Sequence, residues 1–438
     1  MASAHLHRTL GTPTNEKKWT YSAWIKRSQY TSGHGQFLIA CFTDASNRGR
    51  VYIEDGASSQ LEVADRVSGS FDLQKKTSAS LRDESGWYHI VVGHDRTIST
   101  PVTNMYINGV LQTSFAGDNT VAQNAATSWN KSGSTMLIGK YGGGAQYFSG
   151  LMAHVHFCDG YLYAASNFGE TDTTTGIWKP KTAPSVTYGN NGFFLKFDNS
   201  ANMGLDSSGE SNNFTTSGTI IQPKDTPSNV FATFNPLDWA NRNIALTNAN
   251  GTATNTDTAN WQGKYAMSTL GMSAGKYYAE FKVGNIGTNQ LYVAGIIAEP
   301  ESQNINSSIG SFGLGLYSPG KIFNLGSEAQ TSLGAIVADD IIGVAFDVTN
   351  GTLQFYKNGS TIGSQITSIA TAGKLWRFGV NGYDGSWVMH ANFGNGYFGT
   401  TAVTSAQNPA DGIGIFEYSV PSGYKALCTK SLNAQEYS

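Results

Sequence analysis

Charge is scarce in this sequence. Lys, Arg, Asp and Glu together make up 13% of 438 residues, and the net charge is −3. No basic run or stripe is present, so the electrostatic footprint of a nucleic-acid binder is missing. No uninterrupted apolar stretch is long enough to span a bilayer, which excludes membrane insertion by a helix. The three cysteines, Cys41, Cys158 and Cys428, stand far apart and outside any C-x-x-C or zinc-like spacing. They read as buried thiols packing as small hydrophobes. Met1-Ala2-Ser3-Ala4-His5 has neither a basic n-region nor an apolar h-region. It is not a secretory signal, and folding in a cytoplasm is expected.

What fills the chain instead is Gly (51 residues), with abundant Asn, Ser and Thr and 12% aromatics. These residues rank low in helix propensity, and the aromatics suit pleated surfaces. The length exceeds one ordinary core, so two domains are expected. The fold class that follows is all-β, with two tandem antiparallel β-sandwich (jelly-roll) domains.

Period-2 alternation places the strands. In 19–26, Trp19, Tyr21, Ala23 and Ile25 share one face, and Thr20, Ser22 and Lys26 share the other. Strands are also predicted at 35–42, 50–54, 87–92, 136–140 and 148–157. Asn108-Gly109 and Asn358-Gly359 each end an apolar run, and both predict type I′ hairpins. Residues 171–228 turn rich in Asn, Ser, Thr, Gly and Pro around one apolar run, 193–197. The second half alternates again at 276–283 and 341–348, with further strands at 291–298, 373–380 and 386–393. The division predicted is a first sandwich over 1–200, an ordered connector over 201–229 and a second sandwich over 230–438. The segment from Lys430 to Ser438 reads as a tail ordered only by a neighbour.

Trp24-Ile25-Lys26-Arg27, Gly86 to Val92, Met105-Tyr106-Ile107-Asn108-Gly109 and Tyr147 to Ala153 together resemble a laminin-G-like, concanavalin A-like jelly roll. Gly275 to Val283 is similar to the early G-x-Y-Y-x-E strand of a SPRY domain, and Ile342 to Asp347 with Gly351 to Gly359 to its central hairpin. The order of the two, joined through Ile177-Trp178-Lys179-Pro180, resembles virion structural proteins of tailed phages. That resemblance implies a structural or adhesive role on a particle assembled in a host cytoplasm.

Catalytic signatures are thin. Jelly-roll glucanases carry alternating carboxylates on one strand, which places them on one sheet face. Here Glu54-Asp55 and Asp83-Glu84 are adjacent, and adjacent side chains in a strand point to opposite faces. No G-x-S-x-G elbow occurs. His154-Val155-His156 puts two rings on one strand face, a pattern that reads as ordinary strand histidines rather than a zinc site. The chain therefore reads as non-enzymatic. Calcium is the one candidate cofactor, because laminin-G-like domains often carry it at the sandwich rim. Asp44, Asp198 and Asp206 are the candidate ligands, and Asx-turn capping explains the same residues without a metal. Tyr141 and Tyr147 flank Gly142-Gly143-Gly144, while Tyr317, Phe323, Tyr383 and Trp387 lie near Gly in the second half. Aromatics on such loops can stack on sugar faces, and these six are the candidate ligand-binding residues. Core packing is the competing account of each.

The expected partners are other virion proteins and a host-surface glycan or receptor, with no nucleic acid. A homo-oligomer, a trimer by analogy with fibres and spikes, is expected. A decoration or scaffold protein that contacts only virion subunits is the alternative, and a polysaccharide-degrading enzyme is a more distant one.

Overall fold

Short alternating runs separated by Gly and Asn give strands, and the strands find partners within two separate stretches of chain. A computed structural model describes residues 4–28, 35–119, 121–238, 243–255, 264–287, 291–299, 308–383 and 386–436. It divides into two compact units, Met1–Gln222 and Pro223–Ser438. Each unit is a β-sandwich of one large and one six-stranded sheet.

In the first unit the large sheet runs in the order Phe115–Asp118, Ser70–Ser80, Gln60–Val67, Arg48–Ile53, Gln36–Phe42, Thr135–Ile138, His5–Thr9, Thr215–Ser217. The facing sheet runs Phe193–Leu195, Gly150–Asp159, Lys18–Arg27, Tyr88–Asp95, Val102–Ile107, Val110–Leu111. All their pairings are antiparallel. Trp19, Tyr21, Ala23 and Ile25 point into the core as their alternation requires. Such alternation marks a half-buried strand, but Thr20, Ser22 and Lys26 on the opposite face are buried too. A second layer covers them: Thr20 Oγ1 donates to the Tyr161 carbonyl at 2.9 Å and accepts from the Tyr163 N–H. Phe168, Tyr188 and Trp178 continue that layer.

The strands Gln60–Val67 and Ser70–Ser80 were not anticipated from the sequence. Ser68 and Gly69 turn between them with φ of 49° and 88°. Asp65 points inward from the first of these strands and pairs with Arg96 at 3.0 Å, both side chains fully buried. Thr127 Oγ1 and the Ser128 N–H also donate to Asp65.

The predicted connector over 201–229 is absorbed into the units. Phe214 is buried in the first core, and Thr215–Ser217 pairs with His5–Thr9. Beyond the division at 222, the Lys224 N–H donates to the Asn395 carbonyl. In the second unit the large sheet is centred on Lys276–Asn285 beside Ile341–Asp347, and Lys425–Ala426 pairs with it in parallel. Both Asn-Gly turns form as expected, with φ of 48° and 82° at Asn108 and Gly109, and 49° and 82° at Asn358 and Gly359. The expected loose tail is instead a helix, Thr429–Glu436. Leu432 packs on the second core, which is why the segment orders within its own unit.

Candidate functional site

The outward face of the first unit's large sheet is where polar and aromatic side chains converge. Register fixes which residues share it. Arg48 stands opposite Arg66, Arg50 opposite Ala64 and Tyr52 opposite Glu62. On the next strand Phe71 faces Arg66, Gln74 faces Ala64 and Lys76 faces Glu62. Val51, Ile53, Leu61, Val63 and Leu73 alternate with these and fill the core. Gly49 lies between the two arginines because a Cβ there would come 2.5 Å from the Trp129 ring beneath.

Rings and guanidiniums interleave across this face. The Arg50 guanidinium lies 4.8 Å from the Tyr52 ring centre and 5.4 Å from that of Phe71. Arg66 approaches Phe71 at 5.7 Å, and Arg48 approaches Tyr141 at 5.6 Å. Tyr141 also stacks on Phe37 at 4.7 Å. The glycine loop sets that position: a Cβ on Gly142 would come 2.3 Å from the Phe42 ring, so only Gly lets the loop lie this close. Phe71 is 42% exposed, while Tyr52, Tyr141 and the three arginines are half-buried. An open hollow of about 410 Å³ continues the face, lined by Phe71, Gln74, Lys76, Ala116, Gly117, Asp118 and Asn119.

Two carboxylates also reach this region. Glu54 pairs with Lys76 at 3.0 Å. Glu62 accepts from the Gln74 amide at 3.2 Å, and burial pushes its carboxyl up while the Gln74 and Tyr52 hydrogen bonds draw it down. The Glu54 N–H bonds to the Gln60 carbonyl, so Glu54 and Glu62 are diagonal neighbours, with Cα atoms roughly 7–8 Å apart. The sequence concealed this, because the two come from different strands.

The remaining anticipated residues are scattered. Tyr147 lies beside His5 at 5.9 Å and Lys140 at 5.6 Å. Tyr317 and Phe323 come together at 5.9 Å against Tyr292 on the outward face of the second unit's six-stranded sheet. Tyr383 is half-buried, and its carbonyl accepts from Lys264 Nζ; Asp384 and Gly385 lie outside the described residues. Trp387 is a correction: it is 0% exposed and belongs to the second core. The backbone at Gly382 packs on it so closely that a Cβ there would lie 2.1 Å from the Trp387 ring.

Turn donors occupy two of the candidate calcium ligands. Asp44 accepts from the Ser46 and Asn47 N–H groups and the Asn47 amide. Asp206 accepts from the Phe194, Ser208 and Asn212 N–H groups and the Ser208 hydroxyl. Asp198 is exposed. Among the described residues no group of three or more His, Cys, Asp or Glu is placed to hold a metal. His154 and His156 are separated by a bulge and lie against Phe194 rather than a shared ligand.

One constellation superficially suggests nucleophilic chemistry. Ser22 Oγ lies 2.9 Å from His89 Nε2. Trp178 Nε1, a donor only, bonds His89 Nδ1 at 3.0 Å. Nδ1 must therefore be the acceptor, so Nε2 carries the proton and donates to Ser22. A base for Ser22 needs the opposite arrangement. Burial pushes the His89 imidazole down to about 3, holding it neutral.

Two family models agree with this architecture. Residues 3–167 match the concanavalin A-like lectin/glucanases superfamily, and residues 276–380 match the SPRY domain. No curated protein matches the sequence. Among solved structures, the SPRY domain of human HERC1 is 19% identical, covering 34% of this chain and 91% of that one, with a TM-score of 0.29. A native heptameric SAP-like pentraxin from Limulus polyphemus is 19% identical, covering 37% and 72%, with a TM-score of 0.27. Domain 4 of AbnA, a GH43 extracellular arabinanase from Geobacillus stearothermophilus in complex with arabinotriose, is 15% identical, covering 36% and 67%, with a TM-score of 0.28. The chain thus joins a concanavalin A-like, laminin-G-like domain to a SPRY domain, a pairing that fits a binding module.

Proposed function

We propose that this chain is a non-enzymatic adhesion protein of a tailed-phage particle, and that its first sandwich binds a cell-surface glycan. The observation that carries the glycan reading is the sheet face on which Tyr52, Phe71 and Tyr141 alternate with Arg48, Arg50 and Arg66. Ring faces pack on the C–H faces of sugars, and guanidinium N–H groups reach hydroxyl and acidic oxygens. A stiff sheet holds both in fixed register, which limits the entropy lost on binding. The particle setting rests on the order of the two domains, and a homotrimer would multiply weak single-site binding.

Hydrolysis is the second reading, favoured by the proximity of Glu54 and Glu62. Against it, Glu62 is 1% exposed and held by Gln74, so it cannot reach a glycosidic oxygen on a surface-bound sugar. Interferometry of the full chain over immobilised cell-surface polysaccharides tests the glycan reading. Binding without sugar release, weakened about tenfold by Phe71→Ala with Tyr52→Ala, is expected. Sugar release abolished by Glu62→Gln would replace adhesion by hydrolysis. Immunogold microscopy of particles of the parent virus, intact and disrupted, tests the setting: label at tail tips supports adhesion, label over the head supports decoration, and no label on either removes the particle.

A further inference from the structure

We propose that the ligand of the first sandwich is an acidic glycan, whose carboxylate or sulfate groups are gripped by Arg48, Arg50 and Arg66. This rests on the glycan-binding reading of the same face and adds the charge of the ligand. The three guanidiniums form no ion pair among the described residues, although other cations of the unit do. Nearby carboxylates are already engaged: Glu54 by Lys76, Asp118 by Lys75, Asp44 by its own turn, and Glu62 by Gln74.

Rings face these cations, and Glu62 and Asp44 act on Arg50 and Arg48 from a distance, but few hydrogen-bond acceptors reach them. Arg66 Nε donates to the Gly69 carbonyl at 2.7 Å, and Arg48 donates to the Ala45 carbonyl. The Nε atoms of Arg48 and Arg50 are buried without a hydrogen-bond partner. Arg48 and Arg66 stand directly across the ladder from each other, where like charges destabilise a sheet. Burial lowers the Arg48 guanidinium, and the like charges of Arg66 and Arg50 lower it further against the opposing pull of Tyr141 and Asp44. A structural role would place a carboxylate or a neutral residue at one of these positions. An anion lying across the face relieves the repulsion and bonds the accessible guanidinium N–H groups.

Residue type and floor agree with a sugar acid rather than a small inorganic anion. Guanidinium forks engage carboxylate or sulfate through two parallel hydrogen bonds. Small residues, Ala64 opposite Arg50 and Ala40 across the same strand on the other side, keep the floor between the forks low. Rings flank the cations on both sides, so a chain of sugar rings can alternate stacking with ion pairing. The hollow beyond Phe71 extends the track and carries Lys76.

The test is binding of the full chain to polygalacturonate, chondroitin sulfate, neutral dextran and polyglutamate at low and raised salt. Polygalacturonate or chondroitin sulfate should bind at least about tenfold more tightly than dextran, and raised salt should weaken that binding. Preference between these two polymers separates carboxylate from sulfate recognition. Arg48→Gln with Arg66→Gln should remove the preference, while Arg50→Lys should retain part of it through its charge. Thermal unfolding of each variant confirms the fold, and a single change, Arg66→Gln, serves if the double variant unfolds. Dextran bound as tightly as the acidic polymers overturns the charge inference and leaves glycan adhesion standing. Polyglutamate bound most tightly overturns it in favour of an acidic polypeptide. No binding to any polymer overturns both.

Discussion

Glu280 makes the stability of the second unit depend on pH. It lies on the central Lys276–Asn285 strand, fully buried. Four groups donate to it: the Glu417 and Tyr418 N–H groups at 2.8 and 2.9 Å, and the Tyr278 hydroxyl and Asn392 amide, both at 3.3 Å. Burial outweighs them and pushes the carboxyl up from 4.5 to about 7. A raised carboxylate is stabilising while protonated. Its contribution is complete below the unfolded value of 4.5 and is lost as pH rises through about 7. At about 1.4 kcal/mol per unit, the loss amounts to about 3 kcal/mol. Glu280→Gln cannot titrate, and its NH₂ group must face one of the donors. The variant should therefore be less stable at pH 5, by about 1–3 kcal/mol, and the gap should close or reverse by pH 8. Urea unfolding of the full chain, with hydrogen exchange followed in 276–285, reads this locally. A gap that stays constant or widens with rising pH would show that the four donors overcome burial, and the reasoning would fail.

Two further perturbations test the fold. Asn358→Val with Gly359→Val forces β-branched residues to positive φ, and a Cβ at 359 would meet the Tyr418 ring at 2.6 Å. A loss of about 3 kcal/mol or more is expected in the second unit by thermal unfolding. Arg96→Ala leaves Asp65 buried without its cation, and should cost the first unit about 3–5 kcal/mol in urea.

Much of the sandwich architecture was legible because burial on one face imposes alternation. Trp19, Tyr21, Ala23 and Ile25 in one unit, and Tyr277, Ala279, Phe281 and Val283 in the other, all reach their cores. The Asn-Gly hairpins were legible because few other residues tolerate their backbone. The candidate site was not. Its strands over 60–80 carry Arg, Glu, Gln and Lys on their outward side, so the run reads as polar chain. A closer signal was present, since Leu61, Val63 and Asp65 alternate with Glu62, Ala64 and Arg66. Asp65 broke the inward pattern because its partner, Arg96, comes from a distant strand end. Tyr141 was identified as an aromatic on a glycine loop, but its neighbour Arg48 was visible only once the strands paired. Trp387 misled for the reverse reason: Gly beside a Trp marks close packing as readily as an exposed loop.

Hydrogen exchange of the full chain with and without saturating polygalacturonate or chondroitin sulfate tests the central claim most directly. The account predicts slowed exchange in 48–53, 60–67 and 70–80 and in the loop 140–147, with the second unit unchanged. Protection confined to the second unit, or no protection with either polymer, would contradict it.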